Sequence, residues 1–374
     1  MTNKDSGDQV IKERIAFVCS IVKTRVSECD FRLSIAGNRF QLKLLNLIEP
    51  EIVINISPYF LDQGQSAQGL SGTEFFLNTR VPGPRFLKIM GKVIGDSIQF
   101  ISFMVLKEPM IVVFYNLDYT NVILALLSRL LGHKAFVVAA DYVSPPTNIY
   151  ETFLIWAYRY MSGVITLRKN CNLSNKQLNI SAILDIFPEE TQFPSDSANI
   201  LYSGSLGKTT GLHLVLSAAV ARPKLTFYMT GRPFHLSEQR LKGLINAANA
   251  DGANIVYLGT LPFPDYRKIL RKASIALSLR DPSNPDHENN FPSKIAEYMY
   301  AGKVVISSIA YPELPKNTYV LVNYSRDSLV NEIDALVNSK DHMVALSQRA
   351  KFSVSNSFSP QIVRTRLLKF LYNV

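Results

Sequence analysis

The sequence is poor in cysteine, in tryptophan and in charge, and each shortage excludes something. Its three cysteines, Cys19, Cys29 and Cys171, stand far apart. No C-x-x-C metal spacing forms, and an odd count makes a poor disulfide framework, so a reducing compartment is expected. Charged residues make up 19% and hydrophobic residues 47%, which gives ample core material and little sign of disorder beyond the first ten residues. Five histidines are scattered without a ligand cluster, so no metal and no cofactor are expected.

Long apolar runs are missing as well. The most apolar region, SIQFISFMVLKEPMIVVFY (97–115), is interrupted by Lys107, Glu108 and Pro109. Neither half reaches the ~20 residues of a spanning helix. The opening stretch MTNKDSGDQVIKER has no apolar centre of the kind an export signal needs. A cytoplasmic protein is therefore expected.

What is present is length and positive charge. With 374 residues the chain exceeds one ordinary core, and two domains with a cleft between them are expected. The formal net charge of +10 is spread along the chain rather than gathered in one arm. That distribution suits phosphorylated ligands or an anionic membrane surface, and no nucleic-acid partner is expected.

Short apolar runs alternate with longer helical patterns: RIAFVCSI (14–21), QLKLLNLIEP (41–50), EIVINIS (51–57), MIVVFYN (110–116), NVILALLSRLLG (121–132) and KAFVVAAD (134–141). Alternation of this kind predicts parallel βαβ units. ETFLIWAYRYMSG (151–163) reads as a helix stopped by glycine, and VITLRKN follows as a strand. A Ser/Asn/Pro-rich stretch then places a linker near 187–197. The same grammar restarts with NILYSGS (199–205), LTFYMTG (225–231), NIVYLGT (254–260) and IALSLRD (275–281). The expectation is an α/β protein of two doubly wound, Rossmann-like domains facing across a cleft. Residues 1–195 are expected to form the first domain and 196–355 the second. A C-terminal helix over 356–374 packs back on the first domain or on a membrane.

Two stretches of the second half carry the chemistry. In ENNFPSKIAEYMYAGKVVISS (288–308), Pro292 fits a helix start and Gly302 the position past its end, so a helix is predicted over about 292–300. Ser293, Lys294 and the first-turn N–H groups then form an anion site at the positive end of the helix dipole. Glu297 shares their face and suits a ribose diol, although a capped helix with a Lys294/Glu297 surface pair explains the same residues. In YSGSLGKTTGL (202–212) a strand ends in glycine and leads through a small, N–H-rich loop into a helix. The loop is not a Walker motif: only two residues separate Gly204 from Gly207, and Tyr202 occupies the place of the first glycine.

These stretches, together with YMTGRP and YLGTLPFPDYRKILRKASIALSL, resemble the C-terminal half of glycosyltransferase family 4 enzymes of the GT-B fold. The similarity is greatest to the bacterial subgroup with G-N-L-G-K and P-S-K-x-x-E-Y-M, and it spans about 199–310. The resemblance implies a retaining, metal-independent transferase whose substrate is a nucleoside-diphosphate sugar. It assigns the ribose contact to Glu297 and the diphosphate to the helix start at Ser293 and Lys294. Lys208 and Lys294 stand in for the family's usual arginine and lysine, whose places hold Ser205 and Thr210. The first glutamate of the family's E-x7-E motif falls on Asn289, which alters the contact to the donor sugar.

Candidate donor-binding residues are thus Gly204, Ser205, Gly207, Gly231, Asn289, Asn290, Phe291, Pro292, Ser293 and Glu297, with Lys208, Lys294 and Asp141 as catalytic candidates. On the acceptor side, Gly37 and Asn38 precede a helix in a place similar to the family's first glycine-rich loop, or else form a plain helix-starting turn. Asp118 and Asp141 follow predicted strands and either meet the acceptor or cap turns. His133 falls in a helix-to-strand turn and takes no catalytic role. The basic, amphipathic stretch 79–104 suits an anionic membrane near a lipid-linked saccharide acceptor, or else covers the sheet. A non-catalytic nucleotide-sugar-binding partner subunit is the alternative function.

Overall fold

A computed structural model describes residues 13–22, 35–56, 70, 72–77, 79–140, 146, 148–169, 171–185, 199–284 and 291–374. The expected linker at 187–197 and three candidate site residues, Asp141, Asn289 and Asn290, lie outside these residues, as does Cys29.

The first sheet contains β1 (Ile15–Cys19), β2 (Ile52–Ile56), β3 (Thr73–Leu77), β4 (Ile111–Tyr115), β5 (Lys134–Ala139), β6 (Gly163–Thr166) and β7 (Gln177–Asn179). They lie in the order β3-β2-β1-β4-β5-β6-β7, and all pairs are parallel. Helix α1 (Ile35–Ile48) joins β1 to β2, while α2 (Arg85–Met104), α3 (Tyr119–Leu130) and α4 (Ile149–Tyr160) make the crossovers from β3 onward. Strands buried on both faces need two apolar layers. One core gathers Phe100 and Met104 of α2, Val122 and Leu124 of α3, and Ala157 and Tyr158 of α4. The opposite core gathers Phe40 and Leu44 of α1 with Val363, Leu367 and Leu371 of the C-terminal helix α11 (Pro360–Asn373). Thus α2, α3 and α4 form one layer, and α1 with α11 forms the other.

The second sheet contains β8 (Ile200–Leu206), β9 (Phe227–Pro233), β10 (Ile255–Tyr257), β11 (Ile275–Ser278), β12 (Val304–Ser307) and β13 (Val320–Leu321). Its order, β10-β9-β8-β11-β12-β13, reverses direction between β8 and β11. A crevice opens at such a reversal, at the C-terminal ends of the strands. Around this sheet lie α5 (Leu212–Ala221), α6 (Glu238–Ala250), α7 (Phe263–Lys272), α8 (Ser293–Tyr300), α9 (Arg326–Val337) and α10 (Lys340–Phe358). The burial of Ile200, Phe227, Ile275 and Val304 in the shared core contributes roughly 1.5–3 kcal/mol per side chain.

Two local expectations are corrected. Gly163 does not stop the preceding helix, which ends at Tyr160; it opens β6. A Cβ there would meet Phe370 at 2.7 Å and Phe136 at 2.9 Å, so close packing under α11 explains the glycine. Gly37 and Asn38 do not precede α1 but lie inside its first turns. The Asn38 amide accepts from Val22 N at 3.0 Å and donates to Val22 O at 3.1 Å, which ties the helix to the chain after β1.

Candidate functional site

The crevice between β8 and β11 is built from two glycines and a lysine. Gly204 on β8 pairs with Gly231 on β9. Both have positive φ, +129° and +135°. A Cβ on Gly231 would lie 1.8 Å from Gly204 O, so the two main chains approach more closely than any side chain permits. The space above Gly204 is occupied by the ammonium of Lys294, 3.6 Å from where a Cβ would stand.

Lys294 reaches this place because α8 begins at Ser293, with Pro292 as N-cap (φ −74°, ψ 103°) and Gly302 beyond its end in the left-handed region. Pro292 therefore stands just outside the helix rather than at its first position. The inward face of α8 is apolar, with Ile295, Ala296, Tyr298 and Met299 buried, and this fixes the direction of the helix N-terminus. Phe291 packs edge-on against Tyr311 at 5.6 Å and belongs to the same core. It anchors the loop that leads into α8.

Lys294 donates to Ser203 Oγ at 3.1 Å and lies 5.4 Å from the centre of the Tyr266 ring. Ser203 Oγ in turn shares a 2.7 Å hydrogen bond with the Tyr298 hydroxyl. Packing around the ammonium lowers its pKa to about 8, with Glu297 raising it and Arg39 lowering it further. Burial also pushes the Tyr266 and Tyr298 phenols up, so both stay neutral.

The loop after β8 is closed by Thr210. Its hydroxyl donates to Ser205 O at 2.6 Å and accepts from Gly207 N at 3.0 Å, and Tyr202 OH donates to Thr210 O at 2.6 Å. The threonine thus fixes the loop at a place where the resembled family carries a lysine. Lys208 is exposed at the loop tip, its carbonyl held by Tyr324 OH at 2.7 Å. Its charge helps to lower the pKa of His213, after burial. Ser205 is exposed and Gly207 is buried under Phe234.

Glu297 is buried one turn into α8. Its Oε1 lies 3.7 Å from Arg39 Nη2 of α1, so a residue of the first sheet reaches the candidate ribose contact. Arg39 also pairs with Asp185 at 2.7 Å and lies over the Phe263 ring at 4.0 Å, and Lys43 joins Asp185 at 3.0 Å. Sequence reasoning missed Arg39, Ser203 and Tyr266. The i,i+4 spacing of Arg39 and Lys43 on one helix face was the available signal for the first.

The acceptor-side candidates are less directly engaged. Asp118 caps α3, accepting from Thr120 N at 2.9 Å and Asn121 N at 2.8 Å, and burial raises its pKa. His133 is buried, its Nδ1 accepting from Met110 N at 3.2 Å, consistent with a turn residue.

With this geometry in view, comparison with known proteins is specific about the second half. Residues 185–352 match the family described as Glycosyl transferases group 1. No curated protein matches the sequence. Among solved structures, sucrose-phosphate synthase from Thermosynechococcus elongatus aligns with a TM-score of 0.69 at 13% identity, covering 96% of this chain and 98% of its own. HepE from Anabaena, solved with UDP and glucose, aligns with a TM-score of 0.67 at 14% identity, covering 97% and 100%. A glycosyltransferase from Rickettsia africae aligns with a TM-score of 0.66 at 15% identity, covering 97% and 98%. Identities this low speak for the fold: the chain has the GT-B architecture of two Rossmann-like domains, and the family match falls on the part that contains the second sheet.

Proposed function

We propose that this protein is a retaining, metal-independent glycosyltransferase. It moves a sugar from a UDP- or GDP-sugar to a lipid-linked saccharide in surface polysaccharide synthesis. The observation that carries the reading is the Gly204–Gly231 contact beneath Lys294 at the start of α8. It leaves a main-chain floor, a helix N-terminus and a cation together where a diphosphate needs all three. That HepE binds UDP and glucose supports the donor class.

In the proposed reaction the bond between the anomeric carbon and the diphosphate oxygen breaks, and its electron pair stays with the diphosphate. Lys294, the α8 dipole and Lys208 stabilise that charge. The acceptor hydroxyl oxygen forms the new bond to the anomeric carbon and passes its proton to the departing diphosphate oxygen, with Asp141 as the group positioning that hydroxyl. Glu297 accepts from the ribose, the family resemblance assigns Asn289 and Asn290 to the donor sugar, and Asp118 acts through the helix start that it caps. The lipid-linked acceptor and a place at the inner face of the membrane are supported by exposed Phe86, Leu87 and Met90 beside Arg85 and Lys88 on α2. No helix among the described residues is long and apolar enough to cross a membrane.

A panel of UDP- and GDP-sugars, assayed for transfer and hydrolysis, tests the reading. Lys294→Ala and Glu297→Ala are each expected to lower kcat/KM by roughly 10²–10³-fold. ATP turnover indifferent to both substitutions would sink it. Donor binding without turnover on any acceptor extract would favour the partner-subunit alternative, which Asn289 in place of glutamate keeps in play.

A further inference from the structure

A second basic site lies at the other end of the first sheet. A cavity of about 560 Å³ opens where β5, β6 and β7 begin, lined among others by Arg129, Lys134, Arg159, Lys176, Ser162 and Ser174. Doubly wound domains bind substrates at the C-terminal ends of their strands. This cavity is at the N-terminal ends, so the transferase site does not account for it. Its size falls within the roughly 300–1,000 Å³ of small-molecule sites. No acidic side chain lines it. Lys134 pairs with Glu13 at 2.9 Å, and Arg129 Nη1 donates to Ser162 Oγ at 3.0 Å. With Lys134 paired to Glu13 and Val374 also in the lining, Arg129, Arg159 and Lys176 are the cations left to match a phosphate group.

The surroundings say which phosphate. Arg129 and Arg159 sit in the last turns of α3 and α4, where cations also complement the helix dipole. Dipole complementation does not explain what stands next to them. Leu130 is 82% exposed, and α4 presents Ile149, Phe153, Trp156 and Tyr160 outward along its whole length. Phe153 stacks on Trp156 at 5.7 Å and Trp156 on Tyr160 at 5.2 Å, a continuous aromatic ladder along α4 opposite buried Tyr158. In the same layer, α2 exposes Ile94 and Ile98. Aromatic and aliphatic side chains beside clustered Arg and Lys are what a bilayer interface receives. A second copy of the chain meeting this face about a two-fold axis would bring the same cations against themselves, which disfavours a dimer here.

We propose that this cavity holds the phosphate of an anionic lipid headgroup while the α4 ladder lies in the bilayer interface. The proposal deepens the membrane-facing part of the proposed function and is independent of the chemistry in the cleft.

Trp156 is the chain's single tryptophan, so its own fluorescence reports on the ladder. The full chain is titrated with vesicles of phosphatidylcholine alone and of phosphatidylcholine with phosphatidylglycerol in equal parts. The expected result is a blue shift, and quenching by brominated acyl chains, with the anionic vesicles only. The triple variant Arg129→Ala, Arg159→Ala, Lys176→Ala should weaken binding roughly a hundredfold, at about fivefold per charge. Equal binding to both vesicles, no shift with either, or an unchanged triple variant overturns the proposal. So does a blue shift that follows protein concentration without vesicles, which indicates self-association. Saturable binding of soluble glycerol phosphate, measured by calorimetry, with no vesicle binding assigns the cavity to a free phosphate and also overturns it. Bromolipid quenching needs no substitution and decides the matter if the triple variant does not fold. Donor turnover measured in parallel without vesicles reports on the transferase reading alone, and the triple variant should leave it unchanged.

Discussion

Arg39 Nη2 stands 3.7 Å from Glu297 Oε1, linking α1 of the first sheet to α8 of the second. The guanidinium is fixed from two other sides, by Asp185 at 2.7 Å and by the face of Phe263. It is also close enough to Lys294 to lower that residue's pKa. A cation held near the floor of the crevice by the opposite domain adds to the attraction for a diphosphate. Arg39→Ala should therefore reduce kcat/KM for the donor about tenfold. The same substitution should move the alkaline limb of the pH profile upward, because a like charge has left Lys294. A merely structural loss would lower activity without moving that limb. Arg39→Lys keeps the charge but loses the planar fork and its stacking, and should recover the pH profile better than the affinity.

The pH dependence itself follows from Lys294. Burial holds its ammonium to about 8, below the ordinary lysine value of 10.5. Below about 8 it is a cation and binds the diphosphate; above, it is neutral. Donor kcat/KM is expected to fall about tenfold per pH unit on the alkaline side of 8, measured at saturating acceptor. Flat behaviour up to pH 10 would remove Lys294 from the charge-binding role.

Gly231→Ala tests the floor of the site. Its Cβ would stand 1.8 Å from the carbonyl oxygen of Gly204, at a φ of +135° that an L side chain rarely adopts. Relief requires β8 and β9 to separate at their ends. A loss of roughly 3 kcal/mol or more in urea unfolding is expected, with donor binding abolished in whatever folds. A near-normal stability would mean that the strands are not in contact there.

Much of the fold was legible because strand and helix grammar is local. Pro292 and Gly302 bracket α8 in the sequence as they do in the structure, and the alternation of apolar runs anticipates two parallel sheets. What was not legible depends on residues distant in sequence. Tyr266 comes near Lys294 only because α7 and α8 flank the same strand, and Arg39 lies 258 positions from Glu297. Gly37 and Asn38 look like a turn before a helix by composition. They become helical because the Asn38 amide has a main-chain partner in Val22 that local propensity does not reveal.

Lys303 offers a test of burial separate from the catalytic chemistry. It follows the helix-ending Gly302 and is fully buried, its Nζ donating to Arg271 O at 3.3 Å. Burial alone lowers its pKa to about 8. The folded state thus binds its proton more weakly than the unfolded state, whose lysine titrates near 10.5. Between about 8 and 10.5 the unfolded chain holds more protons, so this residue makes wild-type stability rise with pH across that window. Below it, the charged side chain costs on the order of 3 kcal/mol. Lys303→Met keeps the length, removes the charge and gives up one hydrogen bond of about 1 kcal/mol. The variant should be more stable than wild type by roughly 1–2 kcal/mol at pH 7, and the difference should vanish or reverse by pH 10. Urea unfolding of both proteins at the two pH values measures this. Lys294 and the raised tyrosines are common to both chains, so a gap that does not close belongs to packing rather than to charge.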